Sequence, residues 1–115
     1  MSEIKQLTEK IKKFRDERDW QQYHTYKNIA EALVVEAAEV LELFAWKSEE
    51  EVKKYAQEHK QEISEELSDV LVNILELADE LDIDIIKACE EKMAKTAKNY
   101  PVAQVKGDNR KYNQY

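Results

Sequence analysis

The scarcity of glycine and proline limits the folds open to this chain: its 115 residues include one glycine, Gly107, and one proline, Pro101. β-Sandwiches, barrels and hairpins need these residues at their turns, so an all-β fold is not expected. The glycine-rich loops that bind phosphates, GxGxxG and Walker A, are also absent. Hydrophobic residues make up 43% of the chain, too many for a disordered protein. The sequence therefore predicts a packed all-α domain.

Apolar residues recur at spacings of three and four along the chain, which is the pattern of amphipathic helices. The predicted helices cover about residues 3–18, 28–44 or 28–46, 48–58, 62–81 and 85–98. Asn28 is the predicted cap of the second helix, and Ser48 with Glu51 forms a capping box at the third. In the last helix the spacing assigns Cys89 and Met93 to the core. We expect a bundle of four to five helices.

Residues 1–101 are predicted to form a single domain, because no linker or repeat divides them. Pro101 ends the last helix, and residues 102–115 are predicted to be an irregular tail. The second helix is apolar nearly all round, with Val35, Leu43 and Trp46 away from its main apolar stripe. Such a helix must pack on two sides, so we expect a homo-oligomer, either a dimer or a tetramer.

Charge and segment composition limit the partners. The net charge of −7 argues against nucleic-acid binding, since phosphate backbones attract basic surfaces. No stretch approaches the roughly 18 uncharged apolar residues of a membrane span, so no membrane partner is expected. The first residues do not resemble a signal peptide, and Cys89 is the only cysteine. These features predict a cytoplasmic protein.

Two predicted helices carry acidic residues beside apolar ones. Glu36 and Glu39 stand three apart on the second helix, whereas Glu66, Asp69 and Asn73 share one side of the fourth. Buried carboxylates require a compensating cation, and an all-oxygen ligand set favours Mg²⁺, with Mn²⁺ as a substitute. A di-iron centre is not expected, because neither histidine stands three residues after a glutamate. The alternative is an acidic surface exposed to solvent.

Several motifs resemble those of the MazG-like all-α nucleoside triphosphate pyrophosphatases, closest to their dCTP pyrophosphatase branch. The resemblance covers nearly the whole chain. Its residues are the run from Glu36 to Trp46, the segment Glu65 to Leu71, the segment Glu17 to Trp20 with His24 and Asn28, and Lys92-Met93 with Tyr100-Pro101-Val102.

The resemblance implies a Mg²⁺-dependent hydrolase that converts a nucleoside triphosphate, dCTP or a noncanonical deoxynucleotide, to the monophosphate and pyrophosphate. It implies that Glu36, Glu39, Glu66 and Asp69 hold the metal, with Glu36 or Glu39 activating water, and that the family's oligomeric fold is shared. The substrate residues that it implies are Trp20, His24, Asn28, Trp46 and Asn73. Thr96 and Asn99 depart from the family, which often has Asn and Arg there, so Lys92, Lys95 or Lys98 would have to contact the phosphates.

Each of these assignments has a purely structural alternative. Trp20, Tyr23, Tyr26 and Trp46 could stack on a nucleobase or simply pack in the core or an interface. Lys92 could meet the triphosphate or form part of a solvated basic face. The chain as a whole could instead be a non-catalytic helical oligomer, an interaction or regulatory module with a structural cation.

Overall fold

The structure, a computed structural model, describes residues 2–110, which form six α-helices and one 3₁₀ turn and contain no strand. The all-α prediction is therefore confirmed. The helices are α1 (Glu3–Glu17), α2 (Tyr26–Glu42), α3 (Glu49–Glu58), α4 (Lys60–Glu80), α5 (Ile85–Asn99) and α6 (Val102–Val105), and the 3₁₀ turn is Gln21–Tyr23. None of the described helices is both long enough and apolar enough to cross a membrane.

Side chains at the helix N-termini determine where most of the helices begin. Ser48 Oγ accepts a hydrogen bond from the Glu51 amide at 3.2 Å, and the Glu51 carboxylate accepts one from the Ser48 amide at 3.1 Å. The predicted capping box is thus present. The cap of α2 is Thr25, so the prediction of Asn28 is wrong: Thr25 has extended backbone and its Oγ1 accepts from the Asn28 amide. The helix therefore begins two residues before Asn28.

The contacts divide the chain into two compact units, one up to Asp82 and one from Ile83. In the first unit α4 is the central helix, and α1, α2 and α3 all pack against it. Few apolar residues of this unit are buried: Ile29 and Leu75 are each 2% exposed, and Ala78 is 7% exposed. Phe44, two residues after the end of α2, packs edge-on against Tyr55 of α3. The apolar core is small for so many apolar residues.

The second unit contains α5 and α6. Asp84 caps α5 by accepting a hydrogen bond from the Lys87 amide at 3.1 Å. The prediction that Cys89 and Met93 are core residues is wrong within this chain, since both are exposed, Met93 to 68%. The predicted tail is not wholly irregular either, because Val102–Val105 form one helical turn after Pro101. The rest of the predicted tail, from residue 111 on, lies outside the described residues.

Candidate active site

Three carboxylates from two helices come together where α2 packs against α4. Glu36 and Glu39 lie one turn apart on α2, and Glu66 comes from α4. Each contributes one carboxylate oxygen to a group whose members lie within 4.8 Å of one another. We call these three residues the acidic cluster. The spacing of three on α2 places its two carboxylates on the same side of the helix, and the packing of the helices adds the third.

The electrostatics of the acidic cluster show that like charges are held together. Burial contributes most to the raised pKa of Glu36, and with the contact to Glu39 and the charges of Asp69 and Glu66 it brings that pKa to about 7. The pKa of Glu66 is also raised, chiefly by its contact with Glu39 and then by burial. Among the described residues, no donor reaches Oε2 of Glu36 or Oε2 of Glu66, although both atoms are buried. Buried carboxylate oxygens without donors are suited to a cation.

Asp69 and Asn73 follow the acidic cluster along α4. Asp69 is not one of the three clustered carboxylates, but its charge acts on both Glu36 and Glu66. Asn73 Nδ2 donates to the Asp69 backbone carbonyl at 3.0 Å, which holds the amide against its own helix. Both residues also line a cavity of about 630 Å³. The acidic cluster and the cavity are therefore neighbours through Asp69.

The cavity has mostly apolar walls from α1, the 3₁₀ turn, α2 and α4. Phe14 and Trp20 meet edge to face with ring centroids 5.8 Å apart, and Ile29 and Val72 add aliphatic surface. Phe14 and Trp20 are 52% and 45% exposed, so ring surface remains free to contact a ligand. A planar aromatic ligand could stack here, because offset and edge-to-face contacts between rings are favourable.

Charged residues line part of the same cavity. Arg15 is 4% exposed, and its guanidinium donates to Glu80 at 2.7 Å and to Asp16 at 2.9 Å. Burial opposes the charge of Arg15, but these two carboxylates raise its pKa overall. Glu76, 8% exposed, lies 3.1 Å from Nδ1 of His24. Burial raises the pKa of Glu76, and the charges of His24 and Arg15 oppose that rise.

Most of the predicted substrate residues of the first unit lie on the cavity. Trp20, His24, Asn28 and Asn73 all line it, and Asn28 Nδ2 donates to the Tyr23 carbonyl at 2.8 Å. Trp46 does not line the cavity: it is 103% exposed and has a φ of +66° just after the end of α2. Left-handed backbone at a bulky residue is strained by about 1 to 2 kcal/mol.

Lys92 belongs to the second unit. There it borders an open groove on α5 together with Cys89, Met93 and Thr96. The role predicted for Lys92, contact with the phosphates of a substrate, therefore stays a prediction.

Arg15 and Glu76 are cavity residues that sequence reasoning missed. Glu76 had a visible signal, because it continues the spacing of Asp69 and Asn73 by three more residues and so extends the same polar stripe of α4. Arg15 follows Phe14 on an amphipathic helix and reads as a surface residue until Glu80 is brought to it. A buried ion pair between distant segments has no local pattern.

Known proteins share much of the sequence of this chain. Residues 31–114 match the MazG-like family. The dCTP pyrophosphatase 1 of Rattus norvegicus is 40% identical over 101 residues, covering 86% of this chain and 59% of the rat protein. That of Homo sapiens is 36% identical, covering 86% and 59%. The chain thus spans about six-tenths of the length of these mammalian relatives.

A solved structure is similar over almost all of its own length. A pyrophosphatase from Archaeoglobus fulgidus superposes with a TM-score of 0.83 and is 38% identical, covering 88% of this chain and 94% of the archaeal chain. The similarity therefore extends over most of the fold.

Proposed function

Because this chain belongs to the MazG-like family, we propose that it hydrolyses nucleoside or deoxynucleoside triphosphates to the monophosphate and pyrophosphate. The observation that carries this proposal is the acidic cluster beside an aromatic-lined cavity, joined through Asp69. The preferred substrate is dCTP or a related noncanonical deoxynucleotide, as the names of the mammalian relatives suggest. The role would be to clean the nucleotide pool, so that noncanonical or excess deoxynucleotides are kept out of DNA.

The donor set of the acidic cluster suits a hard divalent cation, Mg²⁺ with Mn²⁺ as a substitute. All the ligand atoms are carboxylate oxygens. Two of them are buried and accept no hydrogen bond from residues 2–110. Glu36, Glu39 and Glu66 would hold the ion, and Asp69 would complete the set from the next turn of α4. When bound, Mg²⁺ would neutralise charge on the phosphate oxygens.

The protein's own side chains would then orient the attack. A water oxygen bonds to the α-phosphorus, the bond from that phosphorus to the bridging oxygen breaks, and pyrophosphate leaves. Glu36 or Glu39, whichever carboxylate is not fully used in binding the cation, accepts the water proton. Trp20, His24 and Asn28 would receive the base and sugar in the cavity, with Asn73 close to Asp69. Lys92 would supply positive charge to the phosphates.

A second copy of the chain is the proposed partner, in a dimer or tetramer. Side chains on or just after α2 leave a large apolar area open: Val34 is 68% exposed, Leu41 67% and Trp46 103%. Apolar surface of this kind is normally covered in a stable assembly. Strained, fully exposed Trp46 would become a contact of the neighbouring copy. The proposed location is the cytoplasm, where a reducing environment suits the single cysteine.

Product analysis tests the proposal. Purified protein is incubated with Mg²⁺ and each deoxynucleoside triphosphate, and monophosphate and pyrophosphate are quantified. We expect turnover by the native chain and at least a hundredfold loss in Glu39→Gln, which removes one carboxylate of the acidic cluster. Glu42→Gln is the matched control, since Glu42 is exposed on the same helix and outside the acidic cluster.

Thermal stability distinguishes the alternative of a non-catalytic helical oligomer. An enzyme of this kind should be stabilised jointly by Mg²⁺ and nucleotide, because both bind only the folded state. A protein that cleaves no triphosphate, and whose melting temperature responds to neither ligand or to the cation alone, would contradict the proposed function.

A further inference from the structure

Two polar side chains on the cavity wall have hydrogen-bonding capacity that no described residue fills. Glu76 is 8% exposed, and within residues 2–110 its only ion-pair partner is His24. Nδ1 of His24 lies 3.1 Å from Oε2 of Glu76, but the approach is not that of a hydrogen bond, so Nδ1 is a buried atom without a hydrogen-bond partner among the described residues. Buried groups left in this way are costly unless a ligand completes them.

Arg15 does not donate a hydrogen bond to the Glu76 carboxylate. The guanidinium is directed to Glu80 at 2.7 Å and to Asp16 at 2.9 Å, and its charge acts on Glu76 only through space. This long-range attraction offsets part of the cost of a buried carboxylate without occupying its oxygens. Glu76 is thus available to a donor that enters the cavity.

The surroundings indicate what kind of donor it would be. The same cavity is also lined by the Phe14 and Trp20 rings and by the Ile29 and Val72 side chains, which offer apolar surface to the faces of a flat heterocycle. An ionised carboxylate only accepts hydrogen bonds, whereas imidazole can donate one. A carboxylate beside an imidazole matches a base edge that carries an amino group next to a ring nitrogen. Cytosine has this edge, and carboxylates are known to accept from its amino group.

We propose that Glu76 is a specificity-determining residue, which accepts a hydrogen bond from the exocyclic amino group of the base while His24 donates to the adjacent ring nitrogen. The inference rests on the proposed function, because the cavity must receive the base of the substrate. A keto base would place a carbonyl oxygen against the carboxylate, with two acceptors and no proton between them. Such a mismatch in a desolvated site is strongly rejected.

The experiment compares dCTP with dUTP, which differ at this edge of the base. The ratio of their kcat/KM values is measured for the native protein and for Glu76→Gln, whose amide can donate to a keto oxygen as well as accept. We expect the native protein to favour dCTP and the variant to lose about ten- to a hundredfold of that ratio, mainly through KM. Asp79→Asn is the control: Asp79 lies on the same helix, pairs with Lys12 at 3.6 Å and is not a cavity residue.

His24→Asn removes the other member of the pair, at a position between α1 and α2. Its ratio of kcat/KM values decides the test if circular dichroism shows that Glu76→Gln does not fold. A native protein that cleaves dUTP as well as dCTP would overturn the inference. So would folded variants at both positions that keep the native ratio.

Binding of dCMP and dUMP, measured by calorimetry, separates the two proposals. Preference for dCMP that disappears in Glu76→Gln, in a protein that cleaves no triphosphate, would support the base selectivity while refuting the proposed activity. Cleavage of triphosphates by Glu76→Gln with an unchanged ratio of kcat/KM for dCTP and dUTP would support the proposed activity while refuting the base selectivity.

Discussion

Replacing Glu36 by glutamine should stabilise the metal-free protein at alkaline pH. Burial and the carboxylates of Glu39, Asp69 and Glu66 raise the pKa of Glu36 from 4.5 to about 7. The ionised form is therefore less favourable in the folded state than in the unfolded state. Glutamine has nearly the same shape but no charge, so it removes this repulsion and leaves the packing between α2 and α4 in place.

The magnitude follows from the shift in pKa. At 1.36 kcal/mol for each pKa unit, a rise from 4.5 to about 7 corresponds to a ceiling of about 3 kcal/mol. Glu36 is only partly buried, so solvent screening reduces the expected gain to about 1 to 2 kcal/mol.

The sign of the pH dependence is also fixed. Because the folded pKa is raised, Glu36 carries no penalty below pH 4.5, an increasing one as pH rises, and the full penalty above about 7. The advantage of Glu36→Gln should thus be small at pH 5 and complete at pH 8.

Urea denaturation in EDTA at pH 5 and pH 8 measures this gain, with the protein concentration held constant because the chain is expected to associate. Glu42→Gln on the same helix controls for the loss of one negative charge. With Mg²⁺ at pH 8 the order should reverse, since the native protein retains the full set of carboxylates. A Glu36→Gln protein that is no more stable than the native one at pH 8 in EDTA would refute the reasoning, as would a gain of equal size at both pH values.

Three further substitutions test the fold, each by urea denaturation. Leu75→Ala should lower the free energy of unfolding by about 2 to 5 kcal/mol, because Leu75 is 2% exposed and the truncation leaves a cavity in the core beside α4; a loss below 1 kcal/mol would contradict that burial. Arg15→Met should cost about 2 to 3 kcal/mol by leaving Glu80 without its partner, and a neutral effect would show that the pair contributes nothing. Ser48→Ala should cost about 1 kcal/mol through the lost cap of α3, whereas Ser64→Ala, outside any cap, should change little.

Helix positions were predictable from the sequence because their causes are local. Apolar spacing marks α1, α4 and α5 to within a few residues, and the capping box at Ser48 determines the start of α3. Even the error at α2 is local, since Thr25 could have been recognised as a second cap three residues before Asn28. The spacing of Glu36 and Glu39 likewise established that two carboxylates share one side of α2.

The tertiary structure alone decided which side chains meet. Glu66 joins the acidic cluster, Glu76 comes within 3.1 Å of His24, and Arg15 reaches Glu80, although 65 residues separate that last pair in the chain. Helical periodicity gives the direction of a side chain relative to its own helix axis, but not the rotation and register of that helix against its neighbours. Those depend on packing summed over the whole interface, and that is why the partners of the cavity's buried charges could not be found from sequence spacing.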